Sequence, residues 1–383
     1  MHIKHVALQN WRNFKKAEID LTSRTFIAGA NASGKSNFLD AFRFLKDLAN
    51  SGLKEAVEKR GGISKVRCLY ARRPSEIEIA VEIEDGKNTW KYEIGIGQEQ
   101  GGVHRPIIAK ETVHKNGHEL LKRPGKDEKK DPELKTQTAL EQISSNAEFR
   151  ELAKFFKEIS YLHIIPQIIR HPKFFPWQGN GEDYFGWTLV KKISSTTLKT
   201  QKRKLEKIEK ALTDIVPNLK ELNLTEPDSD GNRHLQVRFQ HWRVKGARQN
   251  EMEFSDGTLR LIGIFWALLD GKGLLLMEEP ELYLHSSIIR KLPRLIHRLQ
   301  KSAGNRQVLI TTHSPELLLK ANGIGPEEIL LLKQGEEATN IEKMTDIEDS
   351  KPLLENDVEY DEIIEQHTKP ESIEKLDLFI NQI

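Results

Sequence analysis

The run Gly29-Ala-Asn-Ala-Ser-Gly34-Lys35-Ser36 constrains this chain more than any other stretch. An apolar segment ending Phe26-Ile27-Ala28 precedes it, and Asn37-Phe38-Leu39-Asp40-Ala41-Phe42 follows with apolar residues at helical spacing. The order is strand, glycine-rich loop, helix, the context that gives a G-x-x-x-x-G-K-S pattern its meaning. Such a loop turns successive backbone N–H groups toward one point and ends at a helix N-terminus, where unpaired donors and the helix dipole favour phosphate. The pattern assigns Asn31, Ala32, Ser33, Gly34, Lys35, Ser36 and Asn37 to ATP, with Lys35 directed at the β- and γ-phosphates and Ser36 at Mg²⁺.

At 383 residues the chain has room for two or three ordinary domains, or for one large α/β domain with insertions. A hydrophobic fraction of 37% with 30% charged residues excludes a disordered or membrane chain. The longest apolar run, Leu261 to Leu269, is half of the ~20 residues a membrane span needs. Cys68 is the single cysteine, which excludes an internal disulfide or a cysteine-rich zinc site and fits a reducing cytoplasm. No secretory pattern opens the chain. A net charge of +2 gives no global nucleic-acid signal, so any such contact must be local.

Two strand-like runs, Ile3 to Leu8 and Ala17 to Leu21, flank Asn10-Trp11-Arg12-Asn13-Phe14. Ser75 to Glu84 alternates with period two, Asp85 to Asn88 is a turn, and Thr89 to Ile96 is a second strand. Ile107 to Lys115 and His118 to Lys122 make a hairpin about Asn116-Gly117, giving an antiparallel meander after the glycine-loop helix. Residues 122–135 read as an exposed loop and 138–158 as a helix through Leu140, Ile143, Phe149, Leu152 and Phe156. The aromatics Phe174, Phe175, Trp177, Tyr184, Phe185 and Trp187 suit a packed or partner-facing patch better than base stacking. Lys191 to Lys210 carries eight Lys/Arg against two Glu; a solvated helical face is the simpler reading, and nucleic-acid backbone contact the sharper one. Asp228 to Asn232 is a turn whose D-x-D needs no metal. Ser255 caps an apolar helix, Gly273 to Glu281 is a buried strand ending in acids, and Gln307 to Pro315 is another, ending at His313.

The N-terminal strand, the N-x-R-x-F-like connection and the loop G-x-N-x-S-G-K-S together resemble the opening of the RecF, SMC and OLD group of ABC-type ATPases. That resemblance implies an α/β P-loop NTPase fold, an ABC-type head with an inserted β-meander and a helical lobe. Residues 1–125 would form the N-terminal lobe, 136–230 the helical lobe, 231–335 the lobe with the remaining motifs, and 336–383 an acidic tail, solvated or docking a partner. Arg12 and Asn13 join the ATP set, and Gln167 becomes the glutamine that senses Mg²⁺. Ser255, Asp256, Gly257 and Thr258 look like the ABC signature, acting across a dimer on the partner's nucleotide. Glu278 matches the acid of the Mg²⁺ shell, where the family usually has Asp, and Glu279 the one that polarises water. His313 resembles the switch histidine at the γ-phosphate, so catalytic roles fall to Lys35, Glu279 and His313. Glu281 and Leu282 to His285 would sit on the loop that meets the other subunit.

The resemblance points to stand-alone OLD-like ATPases of bacterial anti-phage defence. OLD nucleases carry a TOPRIM domain with a D-x-D after the histidine motif, and no D-x-D follows His313. The expected assembly is a homodimer through ATP-bridged heads, or a higher oligomer, with a separately encoded nuclease or toxin, in the cytoplasm and away from membranes. A RecF-like ATPase that binds DNA directly is the alternative, and an ABC transporter ATPase is disfavoured by the S-D-G-T signature.

Overall fold

Two patterns of apolar residues predict two kinds of sheet. Alternation with period two, as in Ile77 to Glu84, suits antiparallel strands with one covered face, whereas the unbroken runs around Leu275 and Val308 suit parallel strands buried on both faces. A computed structural model, which describes all residues except 74, 100–103, 176–182, 214, 217, 241–246, 357 and 369–383, contains both.

In chain order, β1 (His2–Trp11) and β2 (Phe14–Asp20) form a hairpin, β3 (Arg24–Gly29) runs into the glycine loop and α1 (Lys35–Glu58) leaves it. The strands β4 (Ile77–Glu84), β5 (Thr89–Gln98), β6 (Pro106–Lys115) and β7 (His118–Arg123) follow as a meander. Next come α2 (Arg150–Lys157), β8 (Ser160–Leu162), α3 (Pro166–Arg170) and α4 (Leu198–Thr213). A small antiparallel unit, β9 (Leu219–Leu224), β10 (Leu235–Phe239) and β11 (Ala247–Asn250), leads to α5 (Asp256–Leu269) and β12 (Leu275–Glu278). Then α6 (Leu292–Ser302), β13 (Val308–Thr312), β14 (Ile329–Gln334), β15 (Thr339–Lys343) and α7 (Tyr360–Thr368) complete the order.

The hairpin and the meander share one antiparallel sheet, β2-β1-β4-β5-β6-β7, because β4 pairs with β1 from Ile83 opposite Ile3 to Glu78 opposite Gln9. The second sheet runs β15-β14-β3-β13-β12-β8, parallel at every pair except β14 with β15. At its centre Ala28 stands opposite Thr312, and Thr311 opposite Glu278. Three loops therefore leave three adjacent strands at one carboxyl end, where α/β sheets place ligands. α1 is buried along Phe38, Phe42, Leu45 and Leu48 in one core with Val6, Leu8, Ile27, Leu276 and Leu309. Alternate residues of the same parallel strands, Phe26, Met277 and Ile310, enter a second core with Leu259, Ile262 and Phe265 of α5. An unbroken apolar strand thus feeds two cores.

Several expected elements differ. Residues 138–158 are helical only from Arg150, because Glu141 turns back to the Thr138 amide at 2.6 Å and Asn146 donates to the Leu140 carbonyl at 2.9 Å, competing with helical bonds. Ile143 is consequently 77% exposed. The stretch 122–135 holds a short helix, Lys126–Lys130, and a buried Arg123 that donates to Glu111 at 2.9 Å and to Glu128 at 2.5 Å. Among the described residues the segment 336–368 is not a solvated tail: β15 closes the parallel sheet, and α7 buries Tyr360, Ile363 and Ile364 in the second core. Of the aromatic patch, Tyr184 packs edge-on against Tyr161 at 5.1 Å, Phe174 is exposed, and Trp177 lies outside the described residues.

Gly52 interrupts α1 with φ 85° and ψ 175°, a combination reserved for glycine, and an added Cβ would lie 1.8 Å from a Glu141 carboxylate oxygen. Gly52→Ala is expected to lower unfolding free energy by about 1–3 kcal/mol, read from the denaturant midpoint. An unchanged midpoint would contradict the kink.

Candidate nucleotide site

The glycine loop is braced from the β1–β2 turn. Asn13 donates from Nδ2 to the Ser33 carbonyl at 3.2 Å, accepts from Asn37 Nδ2 at 2.9 Å, and its Nδ2 also reaches Thr339 Oγ1 at 2.6 Å. Thr339 in turn donates to the Ser33 carbonyl at 2.8 Å, and Trp11 Nε1 to the Asn37 carbonyl at 2.8 Å. Gly34 has φ 103°, and a Cβ there would fall 2.0 Å from Asn13 Nδ2, so this position admits only glycine. The structure thus gives Asn13 a bracing part and pairs Arg12 with Asp40 at 2.8 Å, beside a polar cleft of about 640 Å³ that Ser36, Asn37, Arg43 and Tyr184 also line. Burial opposes ionisation of Asp40, but Arg60 and Arg12 outweigh it and hold its pKa below the usual carboxylate value.

Lys35 is 6% exposed and donates to the Gly29 and Ala30 carbonyls, each at 2.8 Å. Burial pulls its pKa down to about 8, against the upward pull of Glu279, Glu278 and Glu281. Among the described residues the amides of Gly34, Lys35 and Ser36 donate to no backbone carbonyl, and Ser33 Oγ is buried without a partner. Free donors around a buried ammonium fit a phosphate chain. Ser36 Oγ and Tyr161 Oη contact the two oxygens of Glu278, and these hard oxygen donors fit Mg²⁺. Burial, with Glu279 nearby, raises the Glu278 pKa, which a bound cation would reverse.

Glu279 sits just past β12 with φ 46°, its amide bonded to the Thr311 carbonyl at 3.0 Å. Its carboxylate oxygen lies 2.7 Å from His313 Nε2. Burial, then Lys35, lowers the His313 pKa against the upward pull of Glu279, which favours the uncharged ring. Glu281 departs from expectation: its carboxylate is not on a partner-facing surface but 6% exposed, accepting from Thr312 Oγ1 at 2.5 Å and from the His313 amide at 3.1 Å. It anchors the histidine loop to the acidic loop, while Leu282 and Tyr283 stay exposed.

The signature stretch is an N-cap: Ser255 Oγ accepts from the Thr258 amide at 3.2 Å at the start of α5. Gln167 is engaged here, donating to Asp256 Oδ2 at 3.1 Å, rather than with Ser36 or Glu278; Arg170 also pairs with Asp256. Arg260, one turn into α5 and 1% exposed, donates to the Ile164 carbonyl, to Glu279 O at 2.5 Å and to Pro280 O at 3.3 Å. It ties the signature helix to the acidic loop. Tyr161, Arg260 and Thr339 were not foreseen from sequence, and Glu281 was expected in another role, since each acts through a contact distant along the chain.

A glycine loop after β3, paired acids at the end of β12 and a histidine after β13, on a sheet of this order, define an ABC-type P-loop ATPase head of the RecF, SMC and OLD group. The chain belongs to the family described as "AAA domain, putative AbiEii toxin, Type IV TA system", whose model matches residues 24–319. It is 45% identical over 47 residues to Endonuclease GajA of Bacillus cereus (strain VD045), covering 12% of this chain and 8% of that one. It is 40% identical over 68 residues to the Retron Ec83 probable ATPase of Escherichia coli, covering 18% and 11%. It is 30% identical over 96 residues to the DNA replication and repair protein RecF of Clostridium beijerinckii (strain ATCC 51743 / NCIMB 8052), covering 24% and 26%. The matched stretches thus span about a quarter or less of these relatives. Among solved structures, an SMC head bound to the C-winged helix domain of ScpA matches with TM-score 0.52 at 13% identity over 89% of this chain and 97% of that one. A Smc head with an extended coiled coil from Pyrococcus furiosus matches with TM-score 0.50 at 14% identity over 93% and 99%. These are likenesses of fold. Among the described residues no helix is long and apolar enough to cross a membrane.

A phosphate beside Lys35 favours the charged amine, so nucleotide association raises a pKa that stands at about 8 in the free protein. At about pH 8.5, ATP binding should take up protons, and affinity should fall as pH rises further. Calorimetry in two buffers of different ionisation enthalpy checks this. Lys35→Arg, charged throughout, should bind without the uptake; equal uptake in both proteins would contradict the assignment.

Proposed function

We propose that the chain is an ATP-binding and ATP-hydrolysing dimeric switch, acting with a separately encoded effector in anti-phage defence or DNA maintenance. The observation that carries the reading is the convergence of Lys35, Ser36, Glu278, Glu279 and His313 at one carboxyl end of three adjacent parallel strands. Phosphoryl transfer to water depends mainly on positioning and charge stabilisation. Lys35 exchanges its loop carbonyls for phosphate oxygens, and the free loop amides hold the remainder of the chain. Glu279 accepts a proton of the attacking water, while His313 orients that carboxylate and faces the γ-phosphate. Bound Mg²⁺, held by Ser36 and Glu278, would neutralise charge on the phosphate oxygens.

Among the described residues no hydrogen bond joins Ser255, Asp256 or Thr258 to the chain's own glycine loop, which supports a signature that closes the partner's site. Likeness to GajA and to a retron ATPase supports the defence setting, and the likeness to RecF supports a second reading, an ATPase that acts on DNA by itself.

Mixing tests the dimer. Lys35→Ala and Ser255→Arg homodimers should both be inactive, because each breaks both symmetric sites. In a mixed dimer one site carries both lesions and the other is intact, so ATP turnover should recover toward roughly a quarter of wild type when subunits exchange freely. A wild-type dimer with one dead site is the control for cooperativity. Proven heterodimers that stay inactive while that control turns over would exclude a signature acting in trans.

A further inference from the structure

The basic run of α4 takes no part in the site described above. α4 buries Leu205, Ile208 and Leu212, which fixes the face that looks outward. On that face Lys199, Arg203, Lys207 and Lys210 form a stripe roughly 16 Å long at 1.5 Å per residue. α6 repeats the arrangement: burial of Leu292, Ile296 and Leu299 leaves Arg294, Arg298 and Lys301 outside, with Lys291 just ahead. The two rows meet where Lys207, Lys210 and Arg298 rim a groove of about 130 Å³, and the Lys207 ammonium donates to the Ser302 carbonyl at 3.3 Å.

These eight cations lack acidic partners among the described residues. Lys204, on the flank of α4, pairs with Asp270 at 2.6 Å, and Arg290, beyond the α6 row, with Glu316 at 3.6 Å; the rows themselves have no such pair. Glu206, one turn from both Arg203 and Lys210 on the same face, is the one exposed acid of α4, and α6 contains none. A face kept for solubility interleaves both signs, whereas this one concentrates one sign in a chain whose net charge is only +2. The remainder of the chain is therefore net acidic.

We propose that the α4–α6 face binds the phosphodiester backbone of a nucleic acid without reading its bases. Charge complementarity selects the occupant, since a strand offers one phosphate per roughly 3.4 Å and a 16 Å row can meet about five. No aromatic side chain lines the groove, so bases have nothing to stack on. The amides that could read base edges are spent inside: Gln201 donates to the Ile193 carbonyl at 2.8 Å, and Gln300 to those of Ser23 and Arg306 at 2.7 Å. The same lack of aromatic anchors argues against an acidic protein surface, which would need them for affinity.

The test titrates the full chain, without nucleotide, onto a random strand of about 30 nucleotides and onto its duplex across roughly 50–200 mM salt. The absence of ATP separates this outcome from the ATPase reading. The triple variant Lys207→Glu, Lys210→Glu, Arg298→Glu should weaken duplex binding at least tenfold near 100 mM salt and flatten the slope of log K against log salt by about 2–3, at about 0.9 per phosphate lost. A milder glutamine triple at the same positions should lose a similar slope. Lys16→Glu, Lys54→Glu, Lys87→Glu, an equal change of net charge on other exposed positions, should keep it. A steeper slope for duplex than for single strand identifies the duplex as the better occupant. Absence of binding by the wild type at 50 mM salt, equal weakening in the groove and control triples, or equally tight binding of polyglutamate would overturn the proposal.

Discussion

The parallel pairing of β3, β13 and β12 is the constraint on which the rest of the molecule depends. With Ala28 level with Thr312, and Thr311 level with Glu278, the ends of three strands are fixed within one or two residues of each other. A parallel strand cannot slip by one residue without turning its side chains to the wrong core. Here both cores are committed, Ile27 and Leu309 to one and Phe26 and Ile310 to the other, so packing far from the loops sets where Lys35, Glu279 and His313 emerge. Loop contacts then refine the spacing. Glu281 ties the histidine loop to the acidic loop, and Arg260 ties that loop to the signature helix.

Electrostatics give this arrangement its tension. A buried ammonium held only by carbonyls, close to Glu278 and Glu279, is poised to exchange partners when phosphate arrives. Burial depresses both Lys35 and His313 and lifts Glu278 and Glu281, so each group is pushed toward its neutral form until a highly charged ligand enters. The antiparallel sheet has a part in this as well, because Asn13 and Trp11 reach from the β1–β2 hairpin to hold the glycine loop and the first turn of α1.

The glycine loop, the paired acids and the histidine were legible in the sequence because each pairs a local backbone requirement with an apolar strand. The meander was legible through its period-two alternation. What was not legible rests on contacts between distant residues. Leu140 and Phe149 are buried as expected, yet Glu141 and Asn146 divert their segment from helix. Arg123 reads as a loop cation until Glu111 and Glu128 are seen around it. Gln167 was expected at a strand end, but β8 stops at Leu162, Gln167 lies in the short helix Pro166–Arg170, and Asp256 takes its amide. The C-terminal helix looked acidic and solvated because only Tyr360, Ile363 and Ile364 seat it.

The strand register sets Glu279 beside His313, where it would meet the attacking water while other residues cradle the phosphates. Paired measurements of ATP affinity and steady-state turnover for Glu279→Gln test it most directly. Glutamine keeps the size and a hydrogen bond to His313 but loses the base, so affinity should stay within a few-fold of wild type while turnover falls on the order of 10²-fold or more. Turnover at the wild-type rate with intact binding would contradict the account.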